Sequence, residues 1–215
     1  MSYPIKYPTP QGANIQIFNA GDNAPSGAVQ SWIKPQGASF VWFTLIGAGG
    51  GGDGTTGGGS GAVTNCMVPA FLIPDELQVN VGGGQTYIAY STNITNNTIL
   101  AANGGGSGAG GAGGSASSSN FFSCMGFFQS VAGQNGGSAQ INASPTTFLS
   151  AGGGSNPTIA NYDYQSSDSG IFQMQPIIVG TGGTNRSASN GGVGCGGGKP
   201  ANTNGGNGLV VIITW

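Results

Sequence analysis

"FVWFTLIGAGGGGDGTTGGGSG", residues 40–61, joins a short apolar run to a tract dominated by glycine. In the first part Phe40, Trp42, Thr44 and Ile46 point one way, and Val41, Phe43 and Leu45 the other. Side chains alternate across a strand, and here both faces are apolar, so the pattern predicts a strand covered on both sides. The last residues, "GLVVIITW", repeat this character: Leu209, Val211, Ile213 and Trp215 oppose Val210, Ile212 and Thr214. Two such strands are expected to pair at the centre of one domain, which makes the end of this sequence essential to the fold.

The glycine part contains G-x-G-x-x-G at Gly47, Gly49 and Gly52. A dinucleotide site needs a helix to start directly after these glycines, because its first N–H groups hold the pyrophosphate. Here "DGTTGGGSGAVTN" follows and cannot open a helix. No acidic residue closes a second strand about 20 residues on, as ribose recognition requires. Asp75 follows Pro74 in a turn, and there is no G-K-[ST]. A nucleotide is therefore not expected, and the glycines need another explanation.

Composition narrows it. Of 215 residues, 45 are glycine, far above the roughly 7% of ordinary proteins; charged residues are 5%, against about 25%. Hydrophobic residues are 37% and gathered in strand-length blocks, which a disordered chain lacks. With four Lys and Arg in all, few phosphates could be neutralised, so nucleic acid is not an expected partner. No apolar run reaches the length of a membrane-spanning helix, and membrane insertion is not expected. The first residues lack a secretory profile, so synthesis in a cytoplasm is the simplest expectation. Cys66, Cys124 and Cys195 form no C-x-x-C and no even set, and read as small apolar side chains or thiols.

Further strands are expected at "NIQIF" (14–18), "LQVNV" (77–81), "TYIAY" (86–90), "TILAA" (98–102), within "NFFSCMGFFQSV" (120–131), and at "TTFLS" (146–150) and "IFQMQPIIV" (171–179). No segment has sustained helical periodicity. The fold class is all-β, a β-sandwich-like core with long glycine-rich connections. Residues 1–30, with Pro4, Pro8, Pro10 and Pro25, read either as an extended arm suited to docking or as a loosely ordered terminus, and 31–215 as the glycine-rich β domain. Two conformations fit the glycine tracts. One is a flexible loop. The other is a set of extended polyglycine-II-like segments packed side by side, bonding to one another because they have no internal hydrogen bonds.

Catalytic chemistry has little to draw on. Without His, neither a Ser–His–Asp nor a Cys–His site can be built. Asp75 and Glu76 are adjacent, point to opposite sides and suit a solvated turn. Asp163 and Asp168 in "NYDYQSSDSG" could hold a calcium ion with loop carbonyls, but a plain polar loop is the simpler reading. The N-x-[ST] matches at Asn93, Asn96, Asn142 and Asn185 are expected by chance in so Asn- and Ser-rich a chain. No enzyme, cofactor or metal is expected.

"WIKPQGASFVWFTLIGAGGGG" (32–52), "VPAFLIPDELQVNVGGG" (68–84) and "GGNGLVVIITW" (205–215) occur in an order that resembles the glycine-rich domain of phage tail-fibre and other virion proteins. The composition is similar to that of polyglycine-containing phage adhesins. The resemblance implies a non-enzymatic virion component, a capsid decoration, short spike or fibre tip, exposed on the particle. Its implied partners are other capsid or tail proteins, copies of itself in a trimer, and host surface glycans. The family supplies no receptor motif. Tyr162, Asp163 and Tyr164, in the most polar long loop, are the candidate receptor contacts; the alternative is that both tyrosines cover the domain edge. A self-assembling extracellular filament or matrix protein is the other expectation.

Overall fold

The computed structural model describes residues 12–20, 28–54, 56–92, 97–107, 127–133, 135–136, 171–174, 177–181, 190–198 and 201–215. Among these residues there is no α-helix. Two antiparallel sheets face each other. The five-stranded sheet contains β1 (Asn14–Asn19), β3 (Phe40–Ile46), β4 (Val63–Pro69), β8 (Phe127–Val131) and β11 (Leu209–Thr214), in the order β1-β11-β3-β4-β8. The four-stranded sheet contains β2 (Val29–Ile33), β5 (Glu76–Val81), β6 (Gln85–Ala89) and β7 (Thr98–Asn103), in chain order. A separate hairpin joins β9 (Ile171–Met174) and β10 (Ile177–Thr181). The all-β sandwich foreseen in the alternating patterns is thus the fold.

β3 and β11 pair in register, Leu209 opposite Ile46 and Thr214 opposite Val41, in the interior of the sheet. Their inward residues Val41, Phe43, Leu45, Val210 and Ile212 meet Trp32, Leu77, Val79, Ile88 and Leu100 of the other sheet. Trp32 packs edge-on against Phe43, with ring centroids 6.1 Å apart. The opposite face of β3 and β11 is also largely covered: Thr44, Ile46, Leu209 and Val211 are buried, the last three of these under or beside Val193 and Cys195, and Trp42 and Ile213 are half-buried. Phe40, at the far end of β3, is exposed, as are Ile15 and Ile17 on the neighbouring edge strand β1.

Two differences concern the strands themselves. "IFQMQPIIV", expected as one strand, is two, β9 and β10, paired antiparallel with Met174 opposite Ile177. Within the arm, residues 14–19 are built into the sheet as β1, bonded along their length to β11, and β2 begins at Val29. The expected strand at 146–150 lies outside the described residues.

The glycine tracts continue these ladders with a change of period. The β3–β4 register, Ile46 opposite Val63, carries on as Gly47 N–H donating to Ala62 O (2.9 Å) and Gly50 N–H to Gly59 O (2.8 Å). The β3–β11 register carries on as Gly49 N–H to Gly206 O (2.9 Å) and Gly52 N–H to Thr203 O (3.1 Å). Each neighbour is addressed at every third residue, where a β-strand addresses it at every second. Three residues per turn is the repeat of a polyproline-II-type helix. The carbonyls of Ala48 and Gly50 accept from Gly105 and Gly197. Segment 47–52 is therefore bonded to four others (57–62, 103–107, 194–198 and 203–208), whereas a strand in a sheet has two neighbours. Of the two conformations open to these tracts, the ordered lattice is the one present in the described segments 47–52, 57–62, 103–107, 194–198 and 203–208.

The lattice also fuses the two sheets. Facing sheets lie about 10 Å apart because side chains fill the gap. At the end of the sandwich, Ala62 N–H, beyond β4 of one sheet, donates directly to Asn103 O of β7 in the other (2.9 Å). Gly59 N–H repeats the bond to Gly106 O three residues away. Segment 57–62 is buried throughout. A methyl group at Gly58 would fall on the carbonyl of Gly50, and one at Gly50 on the carbonyl of Gly106, so only glycine permits the approach. Where the sheets merge, the Thr86 hydroxyl is buried with no hydrogen-bond partner.

Two outcomes follow for urea unfolding. Gly58→Ala lowers stability by about 3 kcal/mol, because the obstacle is backbone and cannot rotate away. Gly83→Ala, with nothing within 4 Å, stays within about 0.5 kcal/mol of the parent. Thr86→Val, which removes the unbonded hydroxyl at nearly constant shape, raises stability by about 1 kcal/mol, read as an increase in Tm.

Candidate functional site

The lattice has two ends of unlike character. At one it grows out of the sandwich; at the other its segments end in connections. Residues 53–56 join two segments through a tight turn in which Asp53 Oδ1 accepts from the Thr56 amide (2.7 Å), and Gly54 takes φ 91°. At the same end the chain passes from Gly198 back to Thr203. Thr203 Oγ1 donates to Gly198 O and accepts from Gly52 N–H, so one buried hydroxyl ties three segments together. Asn202 beside it has φ 73°, a left-handed conformation that Asn tolerates better than most side chains. Asn190 Oδ1 receives the Asn204 amide (2.9 Å). Ser107 and Gly136, the last described residues before two long stretches of chain, belong to segments running toward this end. It is the loop-bearing surface and the candidate site.

Tyr162, Asp163 and Tyr164 lie outside the described residues, as do Asp168 and Cys124. The glycines of the G-x-G-x-x-G are resolved in full. The amides of Gly47, Gly49 and Gly52 donate to Ala62, Gly206 and Thr203, so the N–H groups that would cradle a phosphate are used inside the lattice. Among the described residues no three Cys, Asp or Glu gather as metal ligands. No helix there is long and apolar enough to cross a membrane. Cys66 and Cys195 are buried, in keeping with apolar roles. Loss of solvation pushes the Cys66 thiol up to about 12.

The opposite end of the sandwich carries a second concentration of polar contacts. Lys34 Nζ donates to Ile73 O (2.7 Å) and Ala70 O (3.2 Å) and pairs with Asp75 (2.9 Å). The Asp75 carboxylate is 92% exposed, so the ion pair itself contributes little, and the bonds to carbonyls dominate. Asp75 and Glu76 are both exposed, but only Asp75 lies in the bend; Glu76 opens β5, where it sits opposite Ile33. The clamps made by Lys34 and Thr203 are not apparent from spacing. Their only outward signal is a lone cation, and a Thr between two asparagines just before a glycine pair.

A family model described as a glycine-rich domain matches residues 23–213, from just before β2 to the penultimate residue of β11. The chain belongs to this glycine-rich domain family. No curated protein matches it. The glycine-rich domain match takes in every lattice segment together with the strands that feed it, so family membership and lattice describe the same stretch of chain.

The buried thiol gives a pH test. Cys66 stays protonated in the folded protein up to about pH 12, while in the unfolded chain it ionises near its ordinary value. Unfolding therefore releases a proton in the interval between, and stability falls as pH rises above about 9, by up to about 1.4 kcal/mol per unit from this group. Cys66→Ala shows a shallower decline between pH 9 and 11 in denaturant titrations, whatever its starting stability.

Proposed function

We propose that this glycine-rich protein is a non-enzymatic structural component of a virus or phage particle. It is displayed at the surface as a capsid decoration, a short spike or a fibre tip. The observation that supports this most is the cross-bonded lattice, which holds several connections at one end of a rigid body and commits its own peptide groups to one another. Such a body presents loops to the outside and withstands force, and nothing in it requires a substrate. The ordered resemblance of 32–52, 68–84 and 205–215 to virion glycine-rich domains agrees with this reading.

In this role the arm, residues 1–30, docks against other capsid or tail proteins, and copies of the chain gather as trimers. The loop-bearing end meets host surface glycans through amide hydrogen bonds and aromatic stacking, with Tyr162, Asp163 and Tyr164 as contacts. The protein is made in the host cytoplasm and resides on the virion. A self-assembling extracellular filament or matrix protein is the second reading, favoured by apolar side chains left exposed at Phe71, Ile33 and Ile17.

Gold-labelled antibody on purified particles separates the two: regular surface labelling is expected, and labelled fibrils without particles would overturn the virion reading. A double variant, Tyr162→Ala with Tyr164→Ala, should weaken attachment to host cells about tenfold with Tm unchanged; equal attachment would remove these residues from the contact.

A further inference from the structure

We propose that residues 3–9 of this chain fold back on β1 and add a sixth strand to the five-stranded sheet, so that the arm closes the sheet's open edge. Residues 1–11 lie outside the described residues. Gly12, the first described residue, takes φ 88° in a turn directly before β1, a conformation suited to a chain reversal. The inference concerns the free chain and stands apart from any docking of the arm on a particle.

β1 is an open edge whose direction is set by the ladder behind it. Phe40 and Trp215 exchange both backbone bonds (3.0 and 3.2 Å), and the β3–β11 register runs on from them without a bulge. Bonded pairs alternate along an antiparallel ladder, so the odd residues of β11 address β3, while Val210, Ile212 and Thr214 address β1. Their partners Phe18, Gln16 and Asn14 direct N–H and C=O toward β11. The N–H and C=O of Ile15 and Ile17 therefore point the other way, off the sheet. Their side chains are 42% and 60% exposed as well. β1 holds no charge, no proline and no bulge, the devices that keep an edge strand from pairing further.

Those devices stand in the segment just before it, "SYPIKYPTPQ" (2–11). Proline has no N–H and suits a strand only where its nitrogen faces away from the ladder. Pro4, Pro8 and Pro10 all fall on even positions, with Lys6 among them. Tyr3, Ile5, Tyr7 and Thr9, on the odd positions, keep the N–H groups that a ladder with Ile15 and Ile17 needs. Pairing of odd with odd is thus the one the prolines permit. Residues paired across a ladder share a face, so the same pairing sets Tyr3, Ile5 and Tyr7 on the side of the exposed isoleucines. Aromatic and β-branched side chains paired in this way stabilise a sheet. The even residues then place three prolines and a lysine at the new rim, which accepts no further strand. Backbone direction, side-chain face and edge protection select one arrangement, and the covering segment is continuous with the strand it covers.

Amide hydrogen exchange along β1 tests this. The amides of Ile15 and Ile17 are expected to exchange at least about tenfold more slowly than in an unstructured peptide, at a rate independent of protein concentration. Ile5→Pro combined with Tyr7→Pro removes ladder donors and should return both amides to the unstructured rate. Gln16 and Phe18, bonded to β11, should stay slow in that variant and show that the sheet is intact. Lys6→Pro, on the outward parity, should leave Ile15 and Ile17 protected. If the double variant unfolds, Ile5→Pro alone takes its place. Unprotected Ile15 and Ile17 in the parent chain would overturn the proposal. So would an equal loss of protection in Lys6→Pro, which would show a contact without strand parity. Protection that grows with protein concentration would assign the edge to a second copy and overturn closure by the chain's own arm.

Discussion

Two backbones can come within hydrogen-bonding distance in every direction only where no side chain stands between them. That steric condition governs the structure. A β-strand bonds to two neighbours because its side chains occupy the other two directions. In segments 47–52 and 57–62 the side chains are almost entirely missing, and each segment bonds to neighbours on several sides. Ordering glycine costs roughly 1–2 kcal/mol per residue in backbone entropy. Bonds repeated at every third residue, around the fully buried segment 57–62, offset that cost collectively. The lattice does not stand alone: β3, β4, β7 and β11 deliver its segments already aligned, in registers set by the apolar core.

The same condition explains the relation between sandwich and lattice. The core of Trp32, Phe43, Leu77 and Leu100 holds the sheets apart by the thickness of their side chains. Beyond Ile46 and Val63 the filling ends, and the sheets meet at Ala62 and Asn103.

Much of the fold is legible in the sequence, for identifiable reasons. β3 and β11 announce themselves by two-faced apolar alternation, and their pairing follows from having nowhere else to bury both faces. β5 reads clearly from the alternation of Leu77, Val79 and Val81. The division of 171–179 into two strands is not legible, because its two halves look continuous by hydropathy. The lattice is not legible to the same degree, because glycine has no side chain to carry a pattern. Ordered and disordered glycine tracts look alike in one dimension; what separates them is whether the flanking strands bring several tracts together, a property of topology. For the same reason the Thr203 clamp has no periodic signal. The candidate contacts Tyr162, Asp163 and Tyr164 lie in a stretch with neither alternation nor helical period, where composition suggests a chemistry but places nothing.

Amide hydrogen exchange, resolved by residue, reaches the central claim most directly. If the tracts form a bonded lattice continuous with the sandwich, the amides of Gly50, Gly58, Gly59 and Gly61 exchange as slowly as those of Phe43 and Leu45, through global unfolding. Exchange of those glycines at the rate of an unstructured peptide, with β3 still protected, would contradict it.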